Sequence, residues 1–169
     1  MKTILLLRHA KSDWGDRDMA DIDRPLNRRG QAAAPVMAAW IAEHGLSPDL
    51  VLCSTARRTR ETLALVRPAL TGDVPEVLDE ALYLAEVPVL LARLRGLEDA
   101  VGTVLVIAHN PGLEDLAAKL SDFAGTMPTA GLVVLRFDVA SWKQVAPGGG
   151  KLHAFVTPKG LQQGTRHEP

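Results

Sequence analysis

A chain of 169 residues and 18.2 kDa, 47% hydrophobic and 23% charged, has the length and balance of one globular domain. A domain of this size buries roughly 70% of the surface its unfolded chain exposes, so it needs no metal or disulfide staples, and the single cysteine, Cys53, agrees. Nineteen basic against twenty acidic residues, with a formal net charge of -1, exclude the whole-chain positive field of a nucleic-acid or anionic-membrane binder, so any anion site has to be local.

The opening MKTILLLRHA looks like a secretory leader for seven residues, but Arg8 and His9 interrupt the apolar run and no small-residue cleavage site follows. Residues 3–7 are therefore predicted to form a buried strand. No other apolar run approaches the roughly 20 residues of a membrane span, which predicts a cytoplasmic protein. Residues 30–44 carry apolar side chains at helical spacing and stop at Gly45, a suitable C-terminal cap. A second strand over 50–53 leads to a helix over 56–70 capped by Ser54 or Thr55. A short helix over 87–94 precedes a third strand at 103–108, and Pro111 opens a helix over 112–120. Residues 131–137 form the fourth apolar run. With 142–145 and 152–156, which no long helix separates, its segment 132–137 suggests an antiparallel edge, and Pro147 with Gly148, Gly149 and Gly150 suggests a flexible turn within it. The polar tail after Pro158 sets a single domain at 1–160 and a tail at 161–169. Alternating strands and helices, with strands apolar on both faces, predict a three-layer α/β/α sandwich around a mostly parallel sheet.

Ligands of such sheets collect where strands end. The first strand ends at Arg8-His9, the second at Cys53-Ser54 with Arg57 and Arg58 close behind, and the third at His109-Asn110. Three segments thus deliver arginine or histidine to one edge. Arginine offers phosphoryl oxygens paired, charge-assisted donors, and a neutral imidazole can attack phosphorus. Neighbouring arginines disfavour protonation of His9 and keep it nucleophilic, while His109 can bind phosphoryl oxygens or move a proton.

Other chemistries lack their residues. The five histidines, His9, His44, His109, His153 and His167, contain no His-x-x-x-His pair and Cys53 has no cysteine partner, so no metal site or cofactor is expected. The segment from Cys53 places Thr59 where a Cys-x5-Arg phosphatase loop needs arginine, which leaves Cys53 as a small buried strand residue. Neither a P-loop nor a dinucleotide-binding glycine motif is present. His44 suits a helix C-terminus, His153 an edge strand and His167 the tail.

Leu7-Arg8-His9-Ala10-Lys11-Ser12 resembles the Arg-His-Gly/Ala signature of the phosphoglycerate-mutase-like histidine phosphatase superfamily. Arg24-Pro25-Leu26 followed by Gly30, then Ser54 with Arg58 and Thr62, then His109-Asn110-Pro111-Gly112, resemble in the same order the small SixA-type phosphohistidine phosphatases. The segment from Pro128 to Gly131 and the segment from Phe155 to Lys159 are also similar, so the resemblance covers nearly the whole chain. It implies a phosphoglycerate-mutase-like fold, His9 as nucleophile, and Arg8, Arg58 and His109 as the rest of the phosphate pocket. Arg57 falls outside the motif and is expected on the surface or rim. Lys11, Ser12, Arg24 and Asn110 are candidates for substrate contact. As plain structure, Lys11 and Arg24 would be solvated loop charges, and Ser12 and Asn110 would bond within turns.

Larger members of the superfamily use an acidic residue to protonate an alkoxide. The region Asp79-Glu80-Ala81-Leu82-Tyr83 lacks their motif; Glu80 is the candidate acid, with a helix-start role as the plainer reading. A phosphohistidine substrate needs less help, because a protonated imidazole, with an ordinary pKa of about 6.5, leaves readily. The reading is then a metal-independent phosphatase acting on a phosphorylated histidine-containing protein, such as a phosphotransfer domain. Its rivals are a phosphatase of small phosphorylated molecules in the same pocket and a non-catalytic phosphate-binding module. The short chain leaves little length for a lid, which predicts an open site.

Overall fold

The computed structural model describes residues 1–163. Strand β1 (Lys2–Arg8) forms where the sequence is most continuously apolar, and Ile4, Leu5, Leu6 and Leu7 are all fully buried. Burying each such side chain stabilises the fold by roughly 1.5–3 kcal/mol before entropy is counted. Successive strand residues face opposite sides. Ile4 and Leu6 thus enter one core layer, while Leu5 and Leu7 enter the other.

Helices α1 (Arg28–Glu43) and α2 (Arg57–Val66) cover the Leu5/Leu7 face; α3 (Val87–Arg95) and α4 (Gly112–Leu120) cover the Ile4/Leu6 face. Between them lies one sheet of β1, β2 (Leu50–Ser54), β3 (Glu76–Asp79), β4 (Thr103–Ala108), β5 (Leu132–Phe137) and β6 (Lys151–Val156), in the order β3-β2-β4-β1-β5-β6. β1 runs parallel to β4, and β2 parallel to both β3 and β4; β5 and β6 add an antiparallel edge beside β1. This is the expected three-layer sandwich with a mostly parallel sheet.

Local chemistry sets most boundaries. Asn27 caps α1 by accepting a bond from the Gly30 amide at 2.9 Å, two residues earlier than periodicity suggests. Gly45 closes α1 at a φ of +64°, with Gly45 N bonded to Ala42 O and Leu46 N to Ile41 O, a paired closure that only a residue free in the left-handed region allows cheaply. α2 is capped by neither Ser54 nor Thr55; its N-cap is Ala56, and it tightens into a 3-10 turn at Arg67–Ala69, where Pro68 offers no N–H.

Three expectations need correction. Residues 142–145 add no strand: Trp142–Gln144 is a 3-10 turn held by a reciprocal cap between Ser141 and Gln144. The glycine run is tied down, since Gly148 N and Gly150 N bond to the Lys119 and Leu120 carbonyls at the end of α4. After β6, Thr157 caps a short helix α5 (Pro158–Gln162), so the first residues of the expected tail are helical. Residues 164–169, including His167, lie outside the described residues. Among the described residues no helix is long and apolar enough to cross a membrane.

Candidate active site

The parallel register assembles the site. Arg8 pairs with Ala108 across β1 and β4, so His9 and His109 step off neighbouring strands together, with ring centroids 5.4 Å apart. Cys53 pairs with Ile107 across β2 and β4, which sets Ser54 beside them. Thr62 ties α2 to this edge: its Oγ1 accepts from Ala10 N at 3.0 Å and donates to Arg58 O at 2.7 Å.

Both histidines are buried, 6% and 3% exposed. Burial, reinforced by arginine charge, pushes His9 down to about 4 and His109 down to about 3, so both rings are neutral at ordinary pH. Their tautomers follow from the partners. His9 Nδ1 lies 2.7 Å from the Ala10 carbonyl, which can only accept, so Nδ1 carries the proton and Nε2 the lone pair. Arg58 Nη2 donates to His109 Nδ1 at 3.3 Å, and arginine cannot accept, so the His109 proton sits on Nε2 and is donated to Ser54 Oγ at 2.7 Å.

The positive charge comes from two directions. Arg8 Nη1 donates to the Met127 carbonyl at 3.0 Å. Arg58 Nη1 and Nη2 donate to the Asp21 carbonyl at 2.8 Å and to Asp21 Oδ2 at 3.1 Å. Arg8 Nε, Arg58 Nε and Asn110 Oδ1 are buried without a hydrogen-bond partner among the described residues. Two orphaned guanidinium donors beside a neutral imidazole suit an oxyanion. Among the described residues no group of three or more histidine, cysteine or acidic side chains is gathered as a metal-ligand set.

The model of the histidine phosphatase superfamily (branch 1) matches residues 4–83. An uncharacterized protein of Mycobacterium tuberculosis is 37% identical over 165 residues, spanning 90% of this chain and 100% of the relative. A solved chain from Agrobacterium tumefaciens, named as a phosphohistidine phosphatase SixA, is 31% identical with a TM-score of 0.79, covering 93% of this chain and 98% of its own. The chain belongs to the histidine phosphatase superfamily. A similarly named structure from Nakamurella multipartitia agrees at 28% identity and a TM-score of 0.79, covering 93% and 96% of the two chains. The protein is a phosphatase with a histidine nucleophile.

Within this histidine phosphatase, the residues expected from sequence separate into groups. His9, Arg8, Arg58 and His109 come together as described. Arg57 is exposed and pairs with Glu61 at 3.5 Å. Arg24 is no solvated loop charge: it is buried, bonded to Ser12 Oγ at 2.7 Å and to Asp21 Oδ1 at 3.1 Å, and stacked 3.5 Å over the Trp14 ring. Ser12 serves as its acceptor. Lys11 is exposed at the rim. Asn110 donates to the Met127 carbonyl at 3.0 Å, the same oxygen that Arg8 uses. Glu80 is exposed at the start of a 3-10 turn. Burial pushes the Cys53 thiol up to about 12, which keeps it a protonated strand residue.

Two residues of the site were not foreseen. Asp21 holds Arg58 and Arg24 and accepts a short bond from the Tyr83 hydroxyl; these donors keep its carboxyl at about 2 despite partial burial. Tyr83, at the end of the turn that Glu80 opens, packs edge-on against the His109 ring at 5.5 Å. Neither lies at a spacing that periodicity or motif could have exposed.

Proposed function

We propose that the protein hydrolyses phosphohistidine carried on another protein, through a phosphoryl group held transiently on His9. The observation that carries this reading is the neutral His9 ring, whose Nδ1 is committed to Ala10 and whose Nε2 is left as the base, beside Arg8, Arg58 and His109. Nε2 attacks phosphorus, the phosphorus–nitrogen bond of the substrate breaks, and the released imidazole takes a proton from solvent. Water then attacks the phosphorus of phospho-His9, releasing inorganic phosphate and restoring the lone pair. Arg8 and Arg58 bind the phosphoryl oxygens and stabilise the charge of both transition states. His109 faces the nucleophile and orients Arg58. Lys11 and Asn110 contact the substrate, while Ser12 and Arg24 position the loop behind them.

The acid inventory favours a phosphoramidate. Asp21 is the carboxylate bonded to Arg58, and with a pKa of about 2 it holds no proton to give near neutrality. Glu80 is exposed, and its carboxylate makes no hydrogen bond or ion pair with the pocket among the described residues; its only tie is the backbone carbonyl that accepts from Tyr83 N. An alkoxide leaving group would need such a donor, whereas an imidazole with an ordinary pKa of about 6.5 draws its proton from water.

The test is turnover of a phosphorylated histidine-containing phosphotransfer domain beside sugar and aryl phosphates, with rapid acid-free trapping of labelled enzyme. The expected result is preference for the phosphoprotein, insensitivity to chelators and to Glu80→Gln, and an acid-labile label that His9→Ala abolishes. Labelling that survives His9→Ala overturns the mechanism; a large loss in Glu80→Gln on esters, with esters preferred, overturns the substrate class.

A further inference from the structure

Beside the phosphate pocket, and sharing only Lys11 with the substrate contacts proposed above, lies a groove of about 750 Å³ between α1, the Pro128-Thr129 segment and α5. Its cations come from three places in the chain: Lys11 after β1, Arg29 in the first turn of α1, and Lys159 in α5. No carboxylate among the described residues lines it, and none pairs with Lys11, Arg29 or Lys159. In a chain with a net charge of -1, three cations around one groove with no carboxylate of the described residues to offset them are a local departure from the average. Thr129 and Gln162 add hydrogen-bonding side chains between them.

The groove is joined to the nucleophile through the backbone. Lys11 follows His9 by two residues, and Ala130, next to Thr129, donates its N–H to the His9 carbonyl at 2.9 Å. Gly30 seats the opposite wall: a Cβ there would meet Lys11 O at 2.2 Å, so only glycine lets α1 bring Arg29 up against the Lys11 segment. A chain whose phosphohistidine reaches His9 therefore passes over a wall shared with the groove.

We infer that this groove binds an acidic segment of the phosphohistidine protein, with carboxylates of that segment meeting Lys11, Arg29 and Lys159. The inference rests on the proposed protein substrate and adds where and by what chemistry that protein is recognised. A volume of this size accommodates several side chains. Charges at an exposed rim act chiefly on encounter and its salt dependence, so the groove should alter KM more than kcat.

The experiment uses the full chain and two phosphohistidine peptides that differ only in a flank of three glutamates or three glutamines. At low salt the glutamate peptide should show a kcat/KM about tenfold higher, as expected for several exposed ion pairs acting together, with the gain in KM and lost at high salt. In the double variant Arg29→Glu, Lys159→Glu the preference should fall below about twofold, while kcat on free phosphohistidine stays at the wild-type value. Equal kcat/KM for the two peptides, or a preference that survives the double variant, overturns the inference. Binding of the dye-labelled, unphosphorylated glutamate peptide gives a readout independent of turnover. Weakening by the double variant, even if no phosphohistidine is hydrolysed, supports the groove and sinks the substrate reading alone; equal binding to both proteins sinks the groove.

Discussion

Arg58 donates its Nη2 to His109 Nδ1 across 3.3 Å, and that one bond decides which nitrogen of the second histidine carries the proton. Because the guanidinium can only donate, the His109 proton is directed at Ser54 Oγ, 2.7 Å away and fully buried. Replacing Ser54 by alanine leaves that N–H buried without its acceptor, at a cost of about 1–3 kcal/mol. Urea denaturation of Ser54→Ala should show a lower midpoint with an unchanged slope, and kcat/KM should fall with it. Unaltered stability would mean that the proton lies elsewhere.

The pH dependence follows from the two neutral rings. In the free enzyme His9 is held at about 4, well below the ordinary histidine value. The acid limb of kcat/KM on a non-titrating phosphoramidate should therefore lie near 4 rather than near 6.5; a limb near 6.5 contradicts the neutral nucleophile. Stability carries the same sign. The unfolded chain protonates these histidines below about 6.5, whereas the folded chain resists until about 4 for His9 and about 3 for His109. Stability is thus full above about 6.5 and declines as pH falls toward 3. Asp21, depressed to about 2, adds its own loss below its ordinary value of 3.8. Thermal melts at constant ionic strength between pH 3 and 8 measure this slope.

Asp21 occupies Arg58 with both its carbonyl and its carboxylate, so an incoming phosphoryl group competes with an anion already in place. Asp21→Asn removes the charge and keeps the shape. Tungstate or inorganic phosphate should inhibit the variant more tightly, by about twofold to fivefold, the range of a half-exposed ion pair. Weaker inhibition would show that Asp21 holds Arg58 in position more than it competes for it.

Gly30→Ala tests a contest between two effects. Within an exposed helix this change usually stabilises by about 0.5–1 kcal/mol. Here the new Cβ would lie 2.2 Å from Lys11 O and 2.8 Å from Lys11 N, both backbone atoms. Overpacking of that kind costs about 1–3 kcal/mol, so the variant should be less stable and should lose activity as the segment after His9 shifts. A stability gain would show that the loop yields without consequence.

The sequence was readable where burial writes a pattern. β1, β2, β4 and β5 are runs buried on both faces, and their apolar continuity reveals them. β3 escaped because it is a four-residue edge strand, with Val77 and Leu78 exposed by 44% and 53% and Glu76 and Asp79 at its ends. The pocket residues His9, Arg8, Arg58 and His109 stand at or just past strand ends or in the first turn of a helix, where motif and topology coincide. Asp21 and Tyr83 reach the same place from loops 62 residues apart in sequence. Their meeting depends on how those loops lie over the sheet edge, which no local pattern records. Arg24 shows the converse: the motif marks its position, but not the burial created by Trp14, Ser12 and Asp21 closing around it.

β1 sits inside the sheet, bonded to β4 on one side and β5 on the other, and Ala130 N is shared between the Arg8 and His9 carbonyls. Amides in such a position exchange with solvent only when the whole molecule opens. His9, the base proposed to receive the phosphoryl group, thus follows directly on the last part of the protein to come apart. The segment carrying Asp21 is mostly exposed and is tied to the pocket through the Arg58 and Tyr83 side chains rather than through the sheet, so displacing it would not require loosening the strand that leads into His9.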